Sequence, residues 1–137
     1  MIIRRIGEAD DRAGDFINEA FTDYALTSGV ELNYEEYCFV AENESGELVG
    51  AITGRAYYNE IHIGDLIVDK KQRGKNIGSG LVKAVEEEFK NKGFDKITLT
   101  TFGFQAPDFY KKLGYSLEYV REDKNPKLKK YFYIKLI

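Results

Sequence analysis

The sequence predicts an α/β fold of the layered α+β kind, with a mixed, mostly antiparallel central sheet, one parallel pair and flanking helices. Three observations predict it. A polar turn, Asn43-Glu44-Ser45-Gly46, joins two strand-like runs, Cys38 to Ala41 and Leu48 to Tyr58, as in a hairpin. The run Ile61 to Val68 and the alternating segment Ile97-Thr98-Leu99-Thr100 are linked by one amphipathic helix, a crossover that makes the two strands parallel. Two further alternating runs, Tyr115 to Val120 and Tyr131 to Leu136, close the chain as an antiparallel pair.

Each element has its local reason. Ile2 to Ile6 reads as a short strand, and Phe16, Ile17, Ala20, Phe21 and Tyr24 recur at helical spacing. Leu26 to Tyr34 holds Gly29 and polar turn formers, so it is a loop or a broken second helix, and Tyr34 to Tyr37 stays open between helix and coil. Asn59 or Glu60 turns the chain into the run ending at Val68. Leu81, Val82, Val85 and Phe89 form one apolar stripe on the crossover helix, which Gly93 ends. Pro107 suits the first turn of a short helix and Gly114 its C-terminal cap. Glu122 to Lys130 is charged and contains Pro126, so it is a loop. No repeat, low-complexity tract or linker divides the chain, and 137 residues suit a single domain, 1–137.

Composition narrows the function. A hydrophobic content of 43% with 31% charged residues is that of an ordinary globular domain, and a formal net charge of −3 argues against a general affinity for nucleic acid. No apolar run approaches a membrane span and the N-terminus lacks a signal-peptide core, so no membrane association and a cytoplasmic location are expected. Cys38 is the single cysteine; it excludes an intramolecular disulfide, fits a reducing compartment, and in a strand reads as a small buried apolar residue rather than a nucleophile. No metal is expected.

The most informative stretch is Gln72-Arg73-Gly74-Lys75-Asn76-Ile77-Gly78-Ser79-Gly80, which joins a strand directly to a helix. Its glycines allow close backbone approach, the first helical turn offers unpaired N–H donors, and the helix dipole favours negative charge. Arg73 and Lys75 add positive charge, with Lys70 and Lys71 either joining this phosphate patch or lying in a solvated turn. A Walker loop requires Lys and then Ser or Thr after its second glycine, whereas Ser79 and Gly80 follow Gly78; a dinucleotide fingerprint requires G-x-G-x-x-G, whereas the order here is G-x-x-x-G-x-G. By itself such a loop is also what a tight turn without ligand needs.

The segment Asp65 to Leu81 resembles the acyl-CoA-binding motif of the GNAT superfamily of N-acetyltransferases, in which a strand ending L-x-V leads into R-x-x-G-x-G/A and a helix. A second segment, Ala106-Pro107-Asp108-Phe109-Tyr110-Lys111-Lys112-Leu113-Gly114-Tyr115, is similar to that family's A-x-x-F/L-Y-x-x-x-G-F/Y helix and follows one helix and one strand later. The resemblance runs from about Ile61 to Tyr119. It implies the GNAT acyl-CoA acyltransferase fold, acetyl-CoA as cosubstrate, and transfer of acetyl to a primary amine of a small molecule or of a protein or peptide. It also implies that acetyl-CoA lies between the strand ending at Val68 and the strand ending near Thr101.

The resemblance assigns acetyl-CoA binding to Leu66, Ile67 and Val68, to the loop Arg73, Gly74, Lys75, Asn76, Ile77, Gly78 and Ser79, and to Ala106, Phe109 and Tyr110. Amides near Ile67 and Val68 would polarise the thioester carbonyl, and Tyr110 matches the tyrosine that protonates the departing sulfur. Two departures stand out. The motif's first glycine corresponds to Asn76, the residue type that best tolerates a left-handed backbone, and Gly103 replaces a common Asn that contacts pantetheine. His62, the only histidine, is the candidate base against a purely structural role; regular alternation would put it on the face of Gly64 and Leu66. Glu60, Asp65, Glu36 and a water relay are the alternatives.

The acceptor pocket is expected from Tyr24, Tyr34, Glu36, Tyr37, Phe102 and Phe104, set against the plain alternative of an aromatic core in a chain with ten tyrosines and nine phenylalanines. The expected partner is an amine acceptor, and a homodimer is left open. The competing reading is a non-catalytic module of the same fold that binds CoA, acyl-CoA or a protein.

Overall fold

The computed structural model describes all 137 residues and forms two compact units, Met1–Asn33 and Tyr34–Ile137. In the first, helix α1 spans Asp11–Thr27, and the Asp10 carboxylate caps it by accepting from the Ala13 amide at 2.8 Å. Ala25 is its buried residue, while Phe16, Phe21 and Tyr24 are exposed. The helical spacing of the sequence is thus realised. Ile2 to Ile6, expected as a strand, is not one: every strand pair of the molecule lies between residues 35 and 136, so this segment has no ladder to join.

The second unit carries six strands: β1 Glu35–Glu42, β2 Leu48–Tyr57, β3 Glu60–Val68, β4 Lys96–Phe102, β5 Ser116–Arg121 and β6 Lys130–Leu136. They form one sheet in the order β1-β2-β3-β4-β6-β5. All neighbours are antiparallel except β3 and β4, whose connection is the crossover helix α2, Ile77–Glu88. Helix α3, Pro107–Lys112, follows β4, with Gly114 in the left-handed conformation just beyond it. The segment left open at Tyr34 to Tyr37 leads into β1 from Glu35, and α2 ends at Glu88, five residues before Gly93, with Phe89 as its cap.

Inside the second unit the core fills one face of the sheet. Ile52, Ala56, Ile61, Ile63, Ile97 and Leu99 meet Leu81, Val82, Val85 and Phe89 of α2 and Tyr110, Tyr115 and Tyr133 around α3. Phe89 is 1% exposed and makes edge contacts to Phe94 (5.6 Å) and tilted contacts to Tyr37 (5.3 Å), so its truncation to Ala costs about 3–5 kcal/mol. Cys38 is exposed, not buried. In edge strand β1 the period of two turns Tyr37, Phe39 and Ala41 inward, which leaves Glu36, Cys38 and Val40 on the opposite face.

One irregularity matters for the site. Thr53 of β2 pairs with Asp65 of β3, yet the next residue, Gly54, pairs with Ile63, so Gly64 is an extra residue. Before this bulge Ile61 and Ile63 face the core; after it Leu66 and Val68 do. His62 therefore lies on the opposite face from Leu66, not on the same face as regular alternation predicts.

Candidate active site

Strands β3 and β4 are in parallel register only over Glu60–Lys96, Ile61–Ile97 and His62–Thr98. Beyond that point they separate while β4 keeps its full ladder with β6, and a cleft of about 1230 Å³ opens between them. Leu66, Ile67 and Val68 line one wall, Thr100 and Thr101 the other, and Ala106, Phe109 and Tyr110 of the α3 region close one side. Arg73, Gly74, Asn76, Ile77, Gly78 and Ser79 form its floor at the start of α2. Two motifs far apart in sequence thus meet in one cavity because the crossover returns the chain beside β3.

The floor has the geometry of an anion cradle. Asn76 takes the left-handed conformation (φ 62, ψ 20), as expected of the residue replacing a motif glycine, and its side chain makes no capping hydrogen bond to α2. The first amides of the helix consequently have neither a carbonyl one turn back nor a side-chain cap. At Gly78 an added Cβ would sit 3.3 Å from the Phe109 ring and 3.6 Å from Val68, so the glycine allows α2, α3 and β3 to converge. Arg73 donates from Nε to the Val68 carbonyl at 3.3 Å, which ties the loop to the strand end. Lys75 does not line the cleft; its ammonium is held by Gln72 Oε1 at 2.9 Å.

Charge divides the cleft. Arg73, Lys83 and Lys112 are its cations, and Asp65, beside the bulge, is its one carboxylate, accepting from Thr53 Oγ1 at 3.4 Å. Sequence reasoning missed Lys83, Lys112 and Gln105. For Lys83 a signal existed, since it follows Ser79 by four residues and so shares that face of α2. Gln105 Oε1 accepts from the Phe102 amide at 2.8 Å and from Thr101 Oγ1 at 3.2 Å, shaping the wall just after β4. Gly103 itself has a packing reason: a Cβ there would stand 2.6 Å from the Pro126 carbonyl oxygen, and its amide donates to Lys129 O at 2.8 Å.

Tyr110 is 7% exposed, its ring boxed in by Phe109 (5.0 Å), Tyr115 (5.9 Å) and Tyr133 (6.0 Å). Burial pushes its phenol up to about 12, so it is protonated, not a phenolate, at neutral pH. His62 is absent from the cleft lining. Half-buried on the sheet face opposite α2, it stands at the last paired position before the strands part, with Nδ1 3.0 Å from Thr98 Oγ1. Burial holds its ring below the usual imidazole range, Arg55 and Lys130 lower it further, and Glu60 opposes them.

Of the other expected pocket residues, none in the second unit lines the cleft. Tyr24 is exposed on α1. The Tyr34 hydroxyl donates to Glu36 Oε1 at 2.9 Å beside β1, which raises the phenol's pKa. Phe102 and Phe104 stack at 6.0 Å at the end of β4, with the Lys130 ammonium 5.8 Å from the Phe102 ring; β2 and β3 lie between that pair and β1. Tyr37 belongs to the core and donates to the His62 carbonyl at 2.9 Å. No helix is long and apolar enough to cross a membrane, and no group of three potential ligand side chains could hold a metal ion.

A mixed sheet with one parallel pair, splayed over a glycine-rich helix start, is the architecture of an acyl-CoA acyltransferase. The chain belongs to the acetyltransferase (GNAT) family, whose profile matches residues 8–115. It is 38% identical over 87 residues to the blasticidin-S acetyltransferase of Streptomyces morookaense, a match covering 61% of this chain and 62% of that protein. The chain thus spans about three fifths of that relative's length. Among solved structures it is similar to an acetyltransferase from Bacillus cereus, at 34% identity, TM-score 0.81 and 98% coverage of both chains. An aminoglycoside 6'-N-acetyltransferase complexed with coenzyme A shares the fold at 21% identity and TM-score 0.63, over 93% of this chain and 81% of that one.

Proposed function

We propose that the protein transfers acetyl from acetyl-CoA to a primary amine, with the cofactor's pyrophosphate on the start of α2 and its thioester where β3 and β4 part. The observation that carries this reading is the convergence of the uncapped helix start, the cations Arg73, Lys83 and Lys112, and the buried Tyr110 phenol in one cleft. The residues present fit the cosubstrate. Uncommitted amides and the three cations suit phosphate, the apolar walls of Leu66, Val68 and Phe109 suit the thioester arm, and the missing Cβ at position 78 lets Phe109 and Val68 pack close against the helix start. The coenzyme A bound by the structurally similar aminoglycoside enzyme supports the assignment.

In the reaction the amine nitrogen forms a bond to the thioester carbon as the C–S bond breaks. Amides near Ile67 and Val68 stabilise the developing oxyanion, and Tyr110 gives its proton to the departing thiolate. The nitrogen loses its proton to His62, which burial and its cationic neighbours keep neutral. Asp65, the carboxylate of the cleft, favours a positively charged acceptor at the mouth.

The test is a panel of primary amines, from polyamine-like and aminoglycoside-like compounds to peptide N-termini, incubated with acetyl-CoA while free thiol and acetylated product are measured. Equimolar thiol and N-acetyl product with at least one amine supports the reading. Tight CoA binding without turnover on any amine would leave the binding module as the better account.

A further inference from the structure

We infer that Glu60 and Thr98 form an orienting relay that fixes His62 in the Nδ1–H tautomer, leaving Nε2 as the nitrogen that accepts the amine's proton. This rests on the acetyl-transfer reading above and adds two positioning residues to it.

The relay follows from counting hydrogens. The Thr98 hydroxyl contacts two groups, Glu60 Oε2 at 2.5 Å and His62 Nδ1 at 3.0 Å. A hydroxyl carries one hydrogen, and a carboxylate oxygen can only accept. Were that hydrogen turned toward the imidazole, two oxygens bearing only lone pairs would face each other at 2.5 Å. The hydrogen therefore belongs to the Thr98–Glu60 bond, Thr98 Oγ1 accepts from His62, and Nδ1 carries the ring proton. The Tyr57 hydroxyl donates to the same Glu60 oxygen at 3.3 Å and holds the carboxylate from β2.

Position gives the relay its use. His62 and Thr98 are the last registered pair of β3 and β4, so the hydrogen bond lies at the apex from which the cleft opens. The Tyr37 hydroxyl, at 2.9 Å from the His62 carbonyl, fixes the backbone of the same residue from the core side. Around the ring stand Glu60 on its own strand, Arg55 on β2 and Lys130 on β6. The two cations disfavour the imidazolium and the carboxylate favours it. Removing Glu60's charge therefore lowers the titration midpoint of His62, whereas removing Arg55's or Lys130's raises it.

His62 is the sole histidine, so its ring nitrogens can be read without ambiguity by ¹⁵N NMR on the intact chain. The expected parent spectrum at neutral pH has a protonated Nδ1 and a bare Nε2. Thr98→Val should lose that preference, Thr98→Ser should keep it, and Glu60→Gln should shift the midpoint to lower pH. With a good amine and acetyl-CoA, Thr98→Val should lower kcat by about ten- to a hundred-fold, part of what a general base supplies, with KM for acetyl-CoA unchanged. A protonated Nε2 in the parent, or a tautomer indifferent to Thr98→Val, overturns the relay whatever the rates are. An Nδ1–H ring with turnover unaffected by His62→Gln overturns its catalytic role. Absence of turnover with every amine removes the acetyl-transfer reading, and the catalytic role with it, while the tautomer result stands by itself.

Discussion

Replacing Tyr110 by Phe deletes one oxygen from the centre of the proposed reaction and little else. The ring remains wedged among Phe109, Tyr115 and Tyr133 at centroid separations of 5.0, 5.9 and 6.0 Å, so Phe occupies the same volume. With the phenol pushed up to about 12, the parent donor is fully protonated across the usual assay range, and its loss is not masked by ionisation. A hydrogen bond to a charged partner is worth about 1.5–3 kcal/mol, and about 1.4 kcal/mol is a factor of ten in rate. Turnover should therefore fall about 10- to 150-fold, with KM for acetyl-CoA almost unchanged, because the oxygen serves the sulfur only as it leaves. The assay is thiol release at saturating amine, with a single-turnover measurement to establish that acetyl transfer, not product release, limits the rate. An unaltered single-turnover rate in Tyr110→Phe would refute the reasoning, and so would a loss confined to KM.

Three further outcomes follow from the same geometry. Gly78→Val puts a branched side chain where a single Cβ already lies 3.3 Å from Phe109, so CoA affinity should drop at least about tenfold by calorimetry, as expected if one lost cradle contact costs about 1.4 kcal/mol; parental affinity in a folded variant sinks the cradle. Gly54→Ala would place a Cβ 2.1 Å from the His62 carbonyl oxygen and 2.3 Å from the Tyr37 hydroxyl, breaking their hydrogen bond. Its cost in urea unfolding should be about 2–4 kcal/mol, and a change below about 0.5 kcal/mol contradicts the packing described. Because the folded state depresses the His62 pKa, its contribution to stability is complete above the unfolded value of about 6.5 and is lost as pH falls through the folded midpoint. His62→Gln should flatten the acid side of the stability profile, and an unchanged acid slope would show that the ring is not the group titrating.

The parts of the fold that were legible are those whose cause is local. The 43–46 turn, the apolar stripe from Leu81 to Phe89, and Pro107 with Gly114 each announce an element through backbone chemistry that no distant residue overrides. The cleft floor was legible for the same reason, and Asn76 is left-handed as its residue type suggests. What failed depended on partners. Ile2 to Ile6 is rich in β-branched residues but no strand pairs with it, and Cys38 is apolar but its parity in β1 faces away from α2. His62 was put on the wrong face because a single extra residue in β3 is invisible to a period-of-two count. Gly103 also answers to the Pro126 carbonyl 23 positions downstream, a packing reason that no local pattern carries.

The extra residue at Gly64 also separates two tasks that one strand would otherwise have to share. Ile61 and Ile63 lie in the hydrophobic layer and Leu66 and Val68 continue the same face into the cleft wall, the odd-to-even change in numbering being taken up by the one extra residue. A chain shortened by deletion of Gly64 would bring Ile61, Ile63, Leu66 and Val68 into one unbroken alternation on the core face, and what it would lose is the local bend and added twist that the extra residue gives β3 just where it parts from β4. Substitutions before Gly64 accordingly act on the robustness of the folded chain, and those after it on the shape of the cleft.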